Sequence, residues 1–527
     1  MSTPAGAVRA TRSASLLDWR SAVTGAAAAA GALGVSELLA GLLPGGTSLV
    51  AAVGQVAIDL QPPGAKDVVI SLFGTNDKLA LEIFVVLVGL SIGAAFGVLA
   101  HRRFGVGAAG FAVFGVVGFM ASLGDPLASP GIVAVSAAAS VGVGLWLLDW
   151  LPRSMPSRTA GQVGGARAEM PDWSRRSFLI RTAGVGVAAT VGGLAGRALL
   201  DRQRLPPAGA AAALPPAAET AAPLAPGADL SPTVPGLTPI VMPNDRFYKI
   251  DTSILVPGVS TDGWTLRVHG MVDRETLLTW DELIGLPMFE QYVTIACVSN
   301  EVGGRLVGNA KWTGVRLRDV LEMAGVQAGA TQLVGRSVDG WTAGMPTAWV
   351  MDPSREPMIA VKMNDEPLPP AHGYPARLIV PGLYGYVSAT KWLKELELTT
   401  LEAFDGYWVP LGWSKLGPIL TQSRIDTPRG GQVPAGSVPI AGIAWAPDRG
   451  VSKVEVGIDG TWAEARLSTP ISDATWVQWV YDWAATPGQH TIRVRATDGT
   501  GEVQPEAPTP PAPSGARGWD SVAFSVG

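Results

Sequence analysis

The sequence predicts a multi-domain protein with transmembrane α-helices first, an α+β domain in the middle and an all-β sandwich last. Three observations predict it. Across 527 residues, 47% are hydrophobic and only 16% charged, which is apolar for a soluble chain and long enough for two or three domains. The apolar residues gather into runs of membrane-spanning length before residue 200. Beyond residue 418, short β-like runs recur between Gly, Pro and Asp turns at sandwich spacing. The formal net charge of -5 leaves no basic surplus, so nucleic acid is excluded as a partner.

Four runs fit a hydrocarbon core of about 30 Å as helices: Ser21–Leu43, interrupted mainly by Glu37, then Leu79–Ala100, Phe104–Leu123 and Gly131–Leu151. Their frequent Gly and Ala permit close helix packing. The stretch TSLVAAVGQVAIDL between the first two is too short for a span. Arginines mark the side. Arg9, Arg12 and Arg20 precede the first run, Arg102 and Arg103 join the second and third, and Arg153, Arg158, Arg167, Arg175, Arg176 and Arg181 follow the fourth. The loop 124–130 has no Lys or Arg, so the positive-inside rule places the basic segments in the cytoplasm. Residues 1–173 thus read as a membrane domain with four spans and a cytoplasmic basic loop.

Residues 174–200, SRRSFLIRTAGVGVAATVGGLAGRALL, pair two arginines with Phe-Leu and a Gly/Ala-rich run. This is similar to a twin-arginine export signal, placed internally; the alternative is a stop-transfer helix with basic flanks. Either reading makes a fifth crossing and sends the remainder outside the cytoplasm, so the expectation is a multi-pass plasma-membrane protein with an extracytoplasmic domain. Residues 201–239 are Ala/Pro-rich and read as a semi-extended linker.

From residue 240 the runs shorten. WTLRVHGMV alternates like a half-buried strand, LTWDELIGL has helical spacing after Thr279, and VRLRDVLEMAG is a helix ended by Gly325. YVTIAC is a strand that ends on Cys297, the only cysteine, and a polar, Gly-containing loop follows. A lone cysteine is ordinarily a small buried hydrophobe, but at a strand end its thiolate is a soft metal ligand or a nucleophile.

The run from YVTIAC through NAKWTGVRLRDVL resembles the core of the sulfite oxidase family of molybdopterin enzymes, and NDRFY, WTLRVHGMV, HGYPARLIVPGLYG and KWLKELEL follow the family's order. The resemblance implies a molybdopterin-binding domain at 240–417, an immunoglobulin-like dimerisation domain at 418–527, and Cys297 as the catalytic ligand of molybdenum. It also implies cofactor contacts from Asn244, Phe247, Tyr248, Thr342, His372, Arg377, Ser388 and Lys391, with a one-residue departure in the loop that holds the last two. Each has a plain alternative: Phe247 and Tyr248 as core aromatics, His372 as a structural histidine.

Sulfite oxidases carry arginine and tyrosine where this chain has Val302, or a neighbour of it, and Val361, and Lys249–Asp251 replaces a further basic segment; Arg305 is a substitute without a defined place. The implied activity is oxygen-atom transfer on sulfite or another sulfur or nitrogen oxo compound, with a separate cytochrome or quinone-linked electron carrier and a homodimer. With four histidines in the chain and only His101 near a span, no haem is expected. The alternatives are a methionine or S-oxide reductase-type activity, which the C-terminal sandwich argues against, and a non-catalytic, membrane-tethered binding protein with a degenerate cofactor fold.

Overall fold

The computed structural model describes residues 14–62, 72–73, 77–154, 172–205 and 214–527. Arg9, Arg12, Arg158, Arg167 and the side chain of Arg175, which enter the charge reading, lie outside these residues. The chain divides into two units, residues 1–205 with 252–258, and residues 206–251 with 259–527.

The first unit is helical: α1 (Ala14–Leu42), α2 (Leu49–Asp59), α3 (Asp77–Arg102), α4 (Phe104–Ser122), α5 (Pro130–Trp150) and α6 (Asp172–Gln203). All but α2 are long and apolar enough to cross a membrane. The short α2 starts at Ser48, whose hydroxyl accepts the Ala51 N–H. Helix α1 is the hub, packing on α3, α5 and α6. Glycine allows this: a Cβ on Gly25 would lie 2.1 Å from the Gly93 carbonyl, and one on Gly41 2.1 Å from that of Gly196. Two arginines inside the unit are paired, Arg197 with Glu82 at 2.9 Å and Arg204 with Asp125 at 2.8 Å, while the buried Glu37 accepts from the Ser48 hydroxyl at 2.9 Å. Residues 252–258, expected within the cofactor domain, belong to this unit: Ile254 and Leu255 are buried with Ala40, Ala51 and Leu200. An Ile-Leu pair needs apolar cover, and the helices supply it.

The second unit begins with two sheets. One has order β2–β1–β10–β5–β6, from β1 (Thr265–Gly270), β2 (Thr276–Thr279), β5 (Gln332–Ser337), β6 (Thr342–Pro346) and β10 (Leu393–Thr399). The other has order β3–β4–β7–β8, from β3 (Met288–Ala296), β4 (Val307–Arg316), β7 (Met358–Met363) and β8 (Glu366–Pro367), with β9 (Arg377–Ile379) pairing β7. Helix α7 (Trp280–Ile284) opens with a Thr279/Glu282 capping box, and α8 (Leu317–Ala324) ends at Gly325, whose φ of 72° favours glycine. Short helices α9 (Thr347–Met351) and α10 (Gly385–Ser388) complete this part.

Two further sheets form the sandwich. One runs β11–β13–β17–β16, from β11 (Gln422–Thr427), β13 (Gly436–Trp445), β16 (Arg466–Leu467) and β17 (Val477–Ala485). Its partner runs β12–β19–β18–β14–β15, from β12 (Gln432–Val433), β14 (Val451–Ile458), β15 (Thr461–Glu464), β18 (Gly488–Asp498) and β19 (Asp520–Val526). Ile440, Val454, Val456, Trp479, Ile492 and Val494 fill the space between them.

The linker expected over 201–239 needs correction. Its first part is the end of α6, and residues 206–213 lie outside the described ones. Residues 214–239 form a fixed strap. Ala218 N–H reaches the Met288 carbonyl at 2.8 Å, Glu219 pairs with Arg316 at 2.7 Å, and Leu230, Val234 and Leu237 are buried against Ala441 and Val480. The strap's carbonyls and its few apolar side chains find partners on the β3 edge and on the sandwich, which local composition does not reveal.

Candidate molybdenum cofactor site

The thiol is presented by a hairpin. Strands β3 and β4 pair antiparallel up to Ala296 and Val307, and Cys297 follows at once, its N–H on the Leu306 carbonyl at 2.9 Å. Asn300 closes the loop: its N–H donates to the Cys297 carbonyl at 3.1 Å, and its Oδ1 accepts the Leu306 N–H at 2.7 Å. Gly303, with φ of 72°, makes the return turn. Cys297 is buried.

Beside it lies a cradle built on β9. Arg377 is 3% exposed, its guanidinium is 5.1 Å from the Trp312 ring centre, and Nη1 donates to the His372 carbonyl at 2.9 Å. Its Nε is buried with no partner among the described residues. Burial pulls the pKa of this guanidinium down to about 10, against the pull of Tyr248. His372 faces the Asn244 carbonyl at 2.9 Å through Nε2, so Nε2 carries the hydrogen and Nδ1 is left as an acceptor. Burial, with the charges of Arg377, Lys391 and Lys249 adding to it, pushes His372 down to about 3, so the ring is neutral at neutral pH.

Aromatic rings wall the cradle. Phe247 stacks on Tyr248 at 5.3 Å and meets Trp312 and His372 edge-on at 5.9 and 5.7 Å. A Cβ on Gly308 would stand 2.6 Å from the Phe247 ring, so β4 needs glycine there. The Tyr248 phenol is held protonated by burial and then by the Cys297 charge, against Arg377. Cys297, Tyr248, Phe247, His372 and Arg377 are thereby brought together.

The other expected contacts are placed differently. The Asn244 amide is engaged by the turn between β7 and β8, donating to Met363 O at 3.2 Å and Glu366 Oε2 at 3.1 Å and accepting from Asn364 at 2.8 Å; only its carbonyl faces the cradle. The Ser388 hydroxyl turns back to Tyr384 O at 2.9 Å, inside its own helical turn. Two residues on, Thr390 Oγ1 is buried and has no partner among the described residues. Lys391 ion-pairs with Asp251 at 2.9 Å and donates to Ala371 O at 2.9 Å, so its charge is largely compensated. Thr342 starts β6 in the other sheet and accepts the Tyr407 N–H at 3.2 Å.

Sequence reasoning did not single out Trp312, Thr390, Tyr384 or Arg517. Trp312 and Tyr384 stand inside quoted motifs, and Thr390 lies between two named residues, so position was the available signal. Val361 is buried in one core with Ala296, Val298 and Tyr384, and Val302 reaches within 3.4 Å of where a Cβ on Gly518 would be. Burial raises the Tyr384 phenol to about 12; the Leu420 N–H opposes it, Cys297 adds to it, and Arg449 and Arg517 oppose it.

Among the described residues no three His, Cys, Asp or Glu side chains converge on a metal position. A metal at Cys297 therefore brings most of its ligands with it. The unused Arg377 Nε, and a His372 ring whose Nε2 is engaged by Asn244 so that Nδ1 is the acceptor, suit a polar, phosphate-bearing cofactor; the Thr390 hydroxyl, unpartnered among the described residues, abuts Gly335.

Comparison with known proteins defines the class. Residues 253–408 match the oxidoreductase molybdopterin binding domain family and residues 422–494 the bacterial Ig domain family. The chain therefore carries a molybdopterin-dependent oxidoreductase domain, similar to those of sulfite oxidases and nitrate reductases. It is 30% identical over 319 residues to human mitochondrial sulfite oxidase, covering 51% of this chain and 58% of that protein. It is also 30% identical over 321 residues to NADH nitrate reductase 1 of Oryza sativa subsp. japonica, covering 48% and 34%. The chain thus spans little more than half the length of the first of these relatives. Among solved structures, the sulfane dehydrogenase SoxCD of Paracoccus pantotrophus aligns with a TM-score of 0.47 and 22% identity over 55% of this chain and 84% of that one.

Proposed function

We propose that the chain is a membrane-anchored, extracytoplasmic oxidoreductase that transfers an oxygen atom to or from a sulfur or nitrogen oxo compound. The observation that carries the reading is the lone thiol at the end of β3 together with a buried arginine that keeps an unused donor, the two linked through Tyr248, whose phenol senses both. Bound at this site, the molybdenum cofactor supplies the two-electron redox centre at which oxygen is exchanged. The chain would hold it with Cys297 as thiolate ligand, Arg377 and Thr390 toward the polar tail, His372 Nδ1 as acceptor, and Phe247 and Tyr248 as the wall that excludes water.

Sulfite is the first substrate to test, since its oxidation to sulfate takes one oxygen from water and releases two electrons and two protons. The core position of Val361 favours a less highly charged oxo compound, while Arg517 supplies a cation near Tyr384. The electrons pass to a separate cytochrome or quinone-linked carrier, and the Ig domain serves homodimerisation. The basic segments place the domain outside, and Arg175 and Arg176 act as an internal twin-arginine signal for the folded, cofactor-loaded domain.

The experiment is Cys297→Ser with molybdenum and pterin counted per chain. Wild type should hold about one of each, and the serine variant should lose turnover by more than about 100-fold, since even outer partners of a metal ligand are worth 10–100-fold. Equal turnover at equal molybdenum content rejects the assignment. For export, replacing Arg175 and Arg176 by lysine keeps the charge and should abolish external protease sensitivity of the domain; unchanged digestion would leave a simple stop-transfer helix.

A further inference from the structure

Tyr384 precedes α10 and is 3% exposed, yet its hydroxyl is only half satisfied. It accepts the Leu420 N–H at 3.4 Å, and among the described residues nothing accepts its own proton. The neighbouring Tyr386 is the internal control, because its hydroxyl donates to the Ser414 carbonyl at 2.6 Å. The backbone at Tyr384 is fixed by its N–H on Gly417 O at 2.7 Å and by a bridge between Leu383 and Pro418. A Cβ on Gly385 would lie 3.7 Å from the Ala296 carbonyl, so this turn abuts the strand end that carries the thiol. Tyr384 also shares one packed core with Ala296, Val298 and Val361. Space for its hydroxyl comes from the sandwich: Gly515 has φ of 105°, and a Cβ there would be 2.6 Å from Tyr384 Oη.

We infer that Tyr384 is the substrate-orienting hydroxyl of this site, donating to the oxygen of a sulfur oxo substrate beside Cys297, and that Gly515 of the sandwich leaves the room it needs. It supplies from the turn before α10 the phenol that β7, with Val361, does not. A buried donor with no acceptor is costly to leave empty, and a substrate oxygen relieves that cost only while bound. The inference rests on the reading of Cys297 as the metal ligand.

The test is Tyr384→Phe and, separately, Gly515→Ala in the full-length, cofactor-loaded protein, with sulfite and dimethyl sulfoxide as probes. Tyr384→Phe should keep molybdenum content and melting temperature and raise KM about tenfold, with kcat changed by less than about threefold, the size of one lost hydrogen bond. Gly515→Ala, which keeps the phenol but crowds it, should raise KM in the same direction by less. A second readout needs no turnover: the dissociation constant of sulfate, used as a non-reacting oxyanion probe and measured by calorimetry, should rise about tenfold in Tyr384→Phe. Unchanged KM and unchanged sulfate affinity at full molybdenum content overturn the inference, as does loss of molybdenum from Tyr384→Phe, which would make the residue structural. Failure of the underlying reading looks different, because Cys297→Ser would then keep wild-type turnover at equal molybdenum content.

Discussion

Two buried arginines in the second unit have opposite surroundings. Arg424, on β11, is 5% exposed and fully engaged: Nε meets Asp426 at 2.7 Å, Nη1 the Gly304 carbonyl at 2.9 Å and Nη2 the Thr238 hydroxyl at 2.8 Å. It ties the loop after Cys297, the strap and the sandwich into one knot. Arg377 is as deeply buried, but it has an aromatic ring, one carbonyl and an unused Nε in place of a carboxylate. The difference separates a charge that holds the fold from a charge kept for a ligand: desolvating a guanidinium costs several kcal/mol, on the order of the gain from a paired carboxylate, and only Arg424 has that partner inside the protein.

The largest expected effect breaks the knot. Arg424→Met leaves the buried Asp426 with only the more distant Arg429, at 3.8 Å, and the Thr238 N–H, and should destabilise the domain by up to about 3–5 kcal/mol, read as a lower urea midpoint in tryptophan fluorescence; a midpoint within error of wild type would dissolve the contrast. Arg377→Met should act the other way on cofactor-free protein, stabilising it by about 1–4 kcal/mol, while molybdopterin recovered per chain falls. Loss of stability without loss of cofactor would make Arg377 a structural residue like Arg424.

Acid sharpens the comparison. In the sandwich, burial of Asp498 opposes its charge, but hydrogen bonds from Thr500, Arg449, Thr421 and the Glu502 N–H outweigh it and bring its pKa to about 2. Its stabilisation, about 2 kcal/mol, is complete above the ordinary carboxylate range and is lost as pH falls through that low value. His372 is depressed from about 6.5 to about 3, so the unfolded chain takes up a proton first and the cradle of cofactor-free protein loses stability as pH falls below about 6.5. Hydrogen exchange followed against pH should show β9 and its neighbours opening at mildly acidic pH while β18 stays protected until below pH 4. Simultaneous opening would refute the difference. The smallest effect is Thr390→Val, which removes an unpartnered hydroxyl: cofactor-free stability should be unchanged or up by about 1 kcal/mol, with weaker cofactor retention. A net loss of stability would reveal a protein partner for Thr390.

Much of this protein was legible as local pattern. The apolar runs marked the long helices to within about three residues of their ends, except that α1 begins at Ala14, well before the expected Ser21; Thr279 and Gly325 marked α7 and α8, and the spacing of short apolar runs showed the strands from Gly436 to Val526. Strand β11 was missed because Gln422, Ser423 and Arg424 are buried by hydrogen bonding rather than by apolarity, and period-two hydrophobicity cannot register that. The strap 214–239 was missed for a related reason, since its order comes from partners more than sixty residues away.

The site divides the same way. The sequence by itself determined that there is one thiol, that it ends a strand, and that two aromatics before it and a histidine and an arginine after it stand in the family's order, because residue identity and spacing are properties of the chain. Only the tertiary structure decided that Thr390 rather than Ser388 keeps an open hydroxyl, that the Asn244 amide is occupied, and that Tyr384 holds a free donor, because which polar group remains unsatisfied depends on every partner the fold brings to it.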